Sequence, residues 1–204
     1  MKVALIDYGA GNLRSVANAL RELGVEPVIA ASPDLLTDAT HLVLPGVGSF
    51  GDCMEQLARR DLSGAIRDWV KAGKPYFGIC LGYQILFDSS EETPGVSGLG
   101  LIPGTVKRFK EQPGPKIPHM GWNSVIPANP ASATWAGLGT EPYFYYVHSY
   151  FPVPQDESII AARTSYGADD FAAAVELPNL FACQFHPEKS QTAGIRLIRN
   201  FLGV

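Results

Sequence analysis

A cysteine between two glycines stands where a short apolar run gives way to a helical pattern. Residues 77–84 read FGICLGYQ, with Cys80 two residues from Gly78 and from Gly82. This spacing is typical of a nucleophile elbow, in which a strand turns sharply into a helix and β-carbons beside the strained nucleophile would clash. The helix start favours a thiolate, and its first amide, that of Leu81, points to where an oxyanion would form. Taken alone, the pattern also fits a small buried cysteine at a strand end.

A second motif supplies the groups that would activate such a thiol. His186, Pro187 and Glu188 follow the apolar run LFACQF at positions 180–185. Pro187 biases His186 toward an extended conformation, in which residues two apart share a side, so the Glu188 carboxylate can reach the imidazole. A thiol, an imidazole that takes its proton and a carboxylate that orients the imidazole form an activated nucleophile. The alternative is a surface ion pair at a strand end, which we consider weaker.

These motifs resemble the Cys-His-Glu triad of the class I glutamine amidotransferases, and nothing in the triad departs from that pattern. Within the family, the resemblance is greatest to the glutaminase subunits of imidazole glycerol phosphate synthases. It extends over nearly the whole chain through four further segments: DYGAGN at 7–12, PGVG at 45–48, PHMGWN at 118–123 and YVHSY at 146–150. The resemblance implies hydrolysis of glutamine to glutamate and ammonia by Cys80, His186 and Glu188, without a metal or an organic cofactor.

The resemblance also implies roles for residues around the triad. Amides of Gly46 and Val47 would complete an oxyanion hole with Leu81, and a rotation of the Val47 amide could couple activity to a partner. The glutamine would be held by Gln84, His148, Ser149 and Tyr150. For Gln84 the alternative is a solvated helix position, and for the aromatic segment around His148 it is a core strand.

The partner implied by the resemblance is a (β/α)8-barrel cyclase subunit, in a heterodimer. It would use the ammonia to make imidazole glycerol phosphate and an aminoimidazole carboxamide ribotide in histidine biosynthesis. The composition of segment 118–123 fits either a packed loop or an interface. The resemblance favours an interface, with Asn12, Met120, Trp122 and Lys189 as contacts.

Three rival functions remain open from the sequence. The chain could serve another synthase, for anthranilate or pyridoxal phosphate, although segments 7–12 and 118–123 argue against this. It could be a non-catalytic binding module of the same fold, which the intact triad disfavours. It could also be a free-standing hydrolase of γ-glutamyl compounds that needs no second protein.

Bulk properties limit the function classes. The 204 residues predict one domain, spanning 1–204, and the net charge of −4 without a basic cluster argues against nucleic acid. Charged residues make up 18%, below the usual level of about 25%, so a partner could cover part of the surface. No segment resembles a signal peptide or a membrane span, and three cysteines without metal spacing fit a reducing compartment. We therefore expect a cytoplasmic protein that binds no membrane.

The elements that must position the triad alternate in the first half of the chain. Strands are predicted at 3–7, 25–30, 41–44 and 76–79, and helices at 12–23, 49–59, 62–72 and after Cys80. In the second half, short β-like runs at 104–109, 143–151, 158–163, 171–176 and 180–185 predict antiparallel additions, and a helix at 191–202 ends the chain. Segments 91–99 and 111–118 are predicted loops. The expected fold is α/β: a flavodoxin-like, doubly wound, mostly parallel sheet with active residues at its carboxyl edge.

Two glycines near the N-terminus invite a different interpretation. Gly9 and Gly11 follow the first strand, as in a dinucleotide-binding turn, but Arg14 occupies the third glycine position of that motif. A tight turn between strand and helix explains these glycines, and no nucleotide site is predicted.

Overall fold

Short strands and helices alternate through the first half of the chain, and strands dominate the second. The computed structural model describes all residues, Met1–Val204. The strands are β1 (Val3–Ile6), β2 (Val28–Ala30), β3 (His41–Leu44), β4 (Tyr76–Ile79), β5 (Ser89–Ser90), β6 (Gly104–Arg108), β7 (His119–Ser124), β8 (Ile126–Pro127), β9 (Tyr143–His148), β10 (Tyr150–Pro154), β11 (Ile160–Tyr166), β12 (Asp169–Leu177) and β13 (Leu180–Cys183). The α-helices are α1 (Leu13–Glu22), α2 (Phe50–Arg59), α3 (Leu62–Lys71), α4 (Leu81–Gln84) and α5 (Gln191–Leu202).

The main sheet has eight strands in the order β2-β1-β3-β4-β13-β12-β11-β8. The first five are parallel to one another, and the remaining three are added antiparallel. This is the predicted fold class, a mostly parallel α/β sheet with antiparallel additions, and the prediction is confirmed. None of the helices combines the length and the apolar character that crossing a bilayer requires.

Helices cover both faces of the parallel strands because side chains alternate along each strand. In β1, Val3 and Leu5 pack on one face against α1 and α5, while Ala4 and Ile6 pack on the other against α2 and α3. Ser49 begins α2 as predicted, since its hydroxyl accepts a hydrogen bond from the Asp52 amide at 3.2 Å. The helices thereby fix the carboxyl ends of β1, β3 and β4 at one edge of the sheet.

The direction of β13 differs from the sequence-based expectation. The run 180–185 is predicted as an antiparallel addition, but β13 lies parallel to β4, with Cys183 paired to Ile79. Its partner on the other side, β12, is antiparallel to it, so the pairing in the sheet changes from parallel to antiparallel at β13. The hairpin from β12 turns the chain back, which lets β13 end at the same edge as β4. The residues that follow these two strands are therefore neighbours.

Three other element predictions need correction. The runs at 104–109 and 143–151 do not join the main sheet: β10, β6 and β5 form a three-stranded sheet, and β7 pairs with β9. Segment 118–123 is not a packed loop, because most of it forms β7. The strand predicted at 25–30 is shortened to β2, since Pro27 has no amide hydrogen for the ladder. The loops at 91–99 and 111–118 are confirmed apart from an isolated bridge at Ser97.

Helix α5 packs closely on the turn that follows His186, and a glycine makes this possible. A β-carbon at Gly194 would overlap the carbonyl group of Pro187. Gly64, in α3, offers a matched contrast, because a β-carbon there would meet no heavy atom within 4 Å. The two glycines therefore differ in packing while both lie in helices.

We expect Gly194→Ala to lower the free energy of unfolding by about 1–3 kcal/mol, because the methyl group forces α5 away from residues 187–189. Gly64→Ala should raise it by about 0.5–1 kcal/mol, because it only reduces the freedom of the unfolded chain. Urea denaturation measures both changes. Equal stability of the two variants would contradict the packing described here.

Candidate active site

Cys80 occupies the turn between β4 and α4 in a strained conformation. Its φ of 53° and ψ of −103° lie outside the regions that non-glycine residues favour. The backbone is crowded around it: a β-carbon on Gly82 would overlap the Leu44 carbonyl, and one on Gly78 would lie 2.5 Å from the Gly82 oxygen. The structure therefore has the elbow that the two glycines predict. Cys80 is 7% exposed, and that exposure opens into a cleft.

The parallel pairing of β13 with β4 brings His186 to this turn. The Cys80 amide donates to the Cys183 carbonyl at 2.8 Å, which extends the ladder past the end of both strands. The backbone of His186 is held on both sides, because its amide donates to Tyr145 and its carbonyl accepts from the Ser190 hydroxyl at 2.6 Å. The backbone that carries the imidazole is thus fixed by β13, by β9 and by Ser190, the residue before α5.

Glu188 orients the imidazole. Its Oε1 lies 2.9 Å from His186 Nδ1, and both side chains are only 1% exposed, so the pair is not a surface ion pair. Residues 187–189 form a 3-10 turn, and this turn, not a continued extended chain, folds the carboxylate back onto the ring. Because Nδ1 faces the carboxylate, Nδ1 carries the proton in the neutral ring and Nε2 is the free nitrogen. His186 Nε2 is buried and has no hydrogen-bond partner.

The charged form of this imidazole is favoured. Burial lowers the pKa of His186, but the nearby charge of Cys80, followed by the hydrogen bond and charge of Glu188, together raise that pKa to about 10. Cys80 and Glu188 therefore act on the same ring from opposite sides. The arrangement supports an imidazolium ring beside the Cys80 sulfur.

A cleft of about 330 Å³ opens above Cys80. Its walls include most of the residues predicted to contact a substrate or an oxyanion: Val47, Leu81, Gln84, His148, Ser149 and Tyr150. Gly46 does not line it; this glycine is buried beneath the loop, where a β-carbon would overlap the Leu81 side chain. The structure brings Cys80 and these six residues together in one cleft, with His186 and Glu188 buried behind Cys80.

Two backbone amides beside the cleft lack partners. Neither the Val47 amide nor the Leu81 amide donates a hydrogen bond within the protein. Leu81 is the first residue of α4, where helix amides have no intrahelical acceptor. Tyr8, which the sequence did not mark as a site residue, holds the loop that carries Val47. Its buried hydroxyl donates to the Val47 carbonyl at 3.3 Å.

Gln84 is buried, so the solvated position considered from the sequence is wrong. Its Nε2 donates to the Tyr150 carbonyl at 2.9 Å and to Gln184 Oε1 at 3.1 Å. Gln184 was missed in the sequence as well, although it is the one polar residue in the run 180–185 and shares a strand face with His186.

Two histidines form a buried pair at the far wall of the cleft. His148 Nδ1 lies 2.8 Å from the Tyr150 carbonyl and so carries a proton, which leaves Nε2 to accept from His119 Nδ1 at 3.0 Å. Burial lowers the pKa of His119 to about 4. Burial and then the charges of His119 and His186 lower the pKa of His148 to about 3, against the Tyr150 hydrogen bond that raises it. Both rings are therefore neutral at pH 7.

Three of the four residues predicted to contact a partner lie on or beside the β7–β9 pair: Met120, Trp122 and Lys189. Met120 is 61% exposed and Trp122 is 46% exposed, and Trp122 is paired with Tyr145 across the strands. Lys189 Nζ lies 5.8 Å from the centre of the Tyr145 ring. Asn12 precedes α1 after the carboxyl end of β1, the sheet edge that also carries Cys80.

An arrangement of this kind is typical of enzymes that carry a cysteine nucleophile on an α/β fold. The family model for class-I glutamine amidotransferases matches residues 4–203. The chain belongs to this family.

Relatives within the family are similar over their full length. Imidazole glycerol phosphate synthase subunit HisH of Thermosynechococcus vestitus is 46% identical over 202 residues, covering 99% of this chain and 96% of that protein. The HisH subunit of Methanothermobacter thermautotrophicus is 49% identical over 204 residues, with 99% and 98% covered. A crystal structure of a glutamine amidotransferase has a TM-score of 0.74 at 25% identity, covering 98% and 97% of the two chains. PurLQS from Thermotoga maritima, with a TM-score of 0.78 at 24% identity over 99% and 97%, supports the fold.

The neutral histidine pair predicts a specific dependence of stability on pH. In the unfolded chain both histidines titrate near pH 6.5, whereas the folded pKa values of His119 and His148 are depressed. Below about pH 6.5 the unfolded state binds more protons, so the free energy of unfolding falls as the pH falls toward 4. The slope is up to about 1.4 kcal/mol per pH unit for each histidine.

Urea denaturation between pH 7 and pH 4.5 measures this slope. His119→Gln keeps an amide that can donate to His148 but removes one titrating group. The slope of its free energy of unfolding against pH should therefore be shallower by up to about 1.4 kcal/mol per pH unit. Identical slopes for the wild type and His119→Gln would contradict the neutral pair.

Proposed function

We propose that this chain is the glutaminase subunit of an imidazole glycerol phosphate synthase and acts in histidine biosynthesis. It hydrolyses glutamine to glutamate and ammonia. The observation that carries the proposal is the side-by-side ending of β4 and β13, which sets Cys80 beside an imidazole bonded to Glu188 at 2.9 Å. The full-length similarity to HisH subunits supports the particular synthase.

The reaction begins with the thiolate of Cys80. The carboxamide of glutamine lies in the cleft with its carbonyl carbon above the sulfur, and the sulfur attacks that carbon. The strained turn holds the sulfur at the cleft floor, so attack requires little reorganisation. His186 carries the thiol proton on Nε2, and Glu188 stabilises the resulting imidazolium through Nδ1.

The tetrahedral intermediate places negative charge on the former carbonyl oxygen. The free amide of Leu81 points toward this oxygen from the start of α4, and the Val47 amide is the second donor, with Gly46 giving the loop its close contact to Leu81. One donor of this kind is worth about 2.7–4 kcal/mol of transition-state stabilisation. His186 then protonates the departing nitrogen, ammonia leaves, and a γ-glutamyl thioester remains on Cys80.

Water completes the cycle. The imidazole, now neutral, takes a proton from a water molecule, which attacks the thioester and releases glutamate. Gln84, His148, Ser149 and Tyr150 hold the amino-acid end of glutamine during both steps. Every group used here belongs to the chain itself, and no step draws on a metal or an organic cofactor.

The Val47 loop is the proposed switch. Tyr8 anchors the Val47 carbonyl, while Val47 itself is exposed and its amide is free, so the peptide between Gly46 and Val47 can rotate without breaking a hydrogen bond. A partner that docks at this edge of the sheet would favour the orientation in which the Val47 amide faces the oxyanion.

The partner we propose is a (β/α)8-barrel cyclase subunit, bound in a cytoplasmic heterodimer. Free ammonia is largely protonated, and so not nucleophilic, at neutral pH, which makes direct delivery to the enzyme that consumes it an advantage. The docking face would comprise Asn12, Met120, Trp122 and Lys189. Met120 is paired with Val147, which lines the cleft, so the docking face and the point of ammonia release adjoin.

A subunit of an anthranilate or pyridoxal phosphate synthase would use the same triad with another acceptor. A binding module of this fold would need neither the strained cysteine nor the buried carboxylate. A free-standing hydrolase of γ-glutamyl compounds would be fully active alone. The relatives named above favour the imidazole glycerol phosphate synthase, and the requirement for the cyclase separates it from all three.

We expect glutamate release by the isolated chain to be slow and to rise by about two orders of magnitude when the cyclase subunit and its nucleotide substrate are added, since one oxyanion donor is worth that much. Trp122→Ala should weaken this activation, whereas Ile126→Ala, at another exposed apolar residue but on β8, should not. Glutamate release and synthase turnover are measured in parallel.

The same assay separates the two half-reactions. In the complex, Cys80→Ala should abolish turnover with glutamine and retain turnover with ammonia. Equal glutaminase rates for the isolated and complexed chain would contradict the partner proposal. Loss of the ammonia-dependent reaction in Cys80→Ala would contradict the division of labour between the subunits.

A further inference from the structure

Gln184 is a fully buried polar residue that the mechanism above does not use. It is 0% exposed, it follows β13 directly, and its backbone amide is already bonded to the Ala173 carbonyl. Burying a carboxamide destabilises the fold unless its N–H and C=O groups have hydrogen-bond partners. Its side-chain partners therefore indicate what the residue does.

Two side-chain amides connect the backbone of β10 to the sulfur of Cys80. Gln84 Nε2 donates to the Tyr150 carbonyl at 2.9 Å and to Gln184 Oε1 at 3.1 Å. Gln184 Nε2 in turn lies 3.5 Å from Cys80 Sγ, within the range of a hydrogen bond to sulfur. The series thus leads from Tyr150 through both glutamines to the nucleophile.

The Tyr150 carbonyl determines which end of each amide faces which partner. A carbonyl can only accept, so Gln84 must turn its nitrogen toward it. Both hydrogens of that nitrogen are then used, one for Tyr150 and one for Gln184, so Gln184 must present its oxygen to Gln84. This leaves the Gln184 nitrogen facing Cys80. The assignment follows from hydrogen-bond chemistry and does not depend on distinguishing nitrogen from oxygen by position.

We propose that Gln184 is a positioning residue for the nucleophile: its amide donates to Cys80 Sγ, stabilises the thiolate and holds the sulfur at the floor of the cleft. This role rests on the proposed glutaminase function. A thiolate that is 7% exposed has lost most of its water, so each protein donor counts for more than it would at the surface. Hydrogen bonds to charged acceptors are also stronger than those between neutral groups.

A second buried cysteine, Cys183, shows that burial near the triad does not by itself stabilise a thiolate. Cys183 is also buried near Cys80, but its sulfur donates to the Phe185 carbonyl and receives no amide. Burial raises the pKa of Cys183 well above its usual value, with the charges of Glu188 and Cys80 adding to the effect. Proximity to the triad is therefore not sufficient to stabilise a thiolate here.

The test is the pH dependence of Cys80 alkylation by iodoacetamide, followed by mass spectrometry of the peptide that contains Cys80. Gln184→Met is similar in size but has no donor, and Gln184→Leu is a second donor-free variant in case the first folds poorly. Gln155→Met, at an exposed position outside the cleft, is the matched control. Thermal unfolding and ammonia-dependent turnover of the complex establish that each variant is folded.

We expect the pH of half-maximal alkylation to rise by about one unit in both Gln184 variants, a roughly ten-fold loss of thiolate below that pH. Glutamine kcat should fall by about the same factor with little change in KM, since the lost bond is to the nucleophile. Gln155→Met should match the wild type. An unchanged alkylation profile in folded Gln184→Met or Gln184→Leu would overturn the proposal.

Alkylation requires no glutamine, so its outcome is independent of the proposed function. If wild-type complex released no glutamate, the proposed function would fail while the alkylation profile still decided whether Gln184 stabilises the thiolate.

Discussion

Backbone hydrogen bonds between β4 and β13 align these strands in the same direction, and the active site depends on that alignment. Residues separated by more than one hundred positions, Cys80 and His186, follow the two strands at one edge of the sheet. Carboxyl ends of parallel strands meet at a common edge, which is where α/β proteins place their sites. An antiparallel β13 would put the imidazole at the opposite edge, and the cysteine would have no base.

Around this pair, close backbone contacts determine where the catalytic side chains lie. The 3-10 turn after His186 folds Glu188 onto the ring, and α5 holds that turn through the close approach at Gly194. Crowding at Gly82 fixes the elbow. The site is therefore tightly held where the nucleophile, base and carboxylate meet, and the Val47 loop, whose amide has no hydrogen-bond partner, is the part that we propose to move. This division fits the proposed control of the glutaminase rate by a partner.

Much of the fold and of the nucleophile's setting could be predicted from the sequence. The glycines around Cys80 predicted the elbow, and the alternation of strands and helices predicted the mostly parallel sheet. The sequence could not predict the direction of β13, because an apolar run of that length reads the same in either direction and only the hairpin with β12 decides it. Gln184 was overlooked for a related reason: its partners, Gln84 and Cys80, are far away in the sequence. Strand β7 was not predicted either, because the composition of segment 118–123 left a packed loop and an interface open.

The proposed glutaminase reaction requires the sulfur of Cys80 to become covalently bonded to substrate. Acid quenching of the complex during turnover with glutamine, followed by mass spectrometry of the Cys80 peptide, tests this directly. We expect a γ-glutamyl adduct on Cys80 that appears within the first turnover and disappears when glutamine is exhausted. Continued release of ammonia without an adduct on Cys80, or an adduct on a different residue, would contradict it.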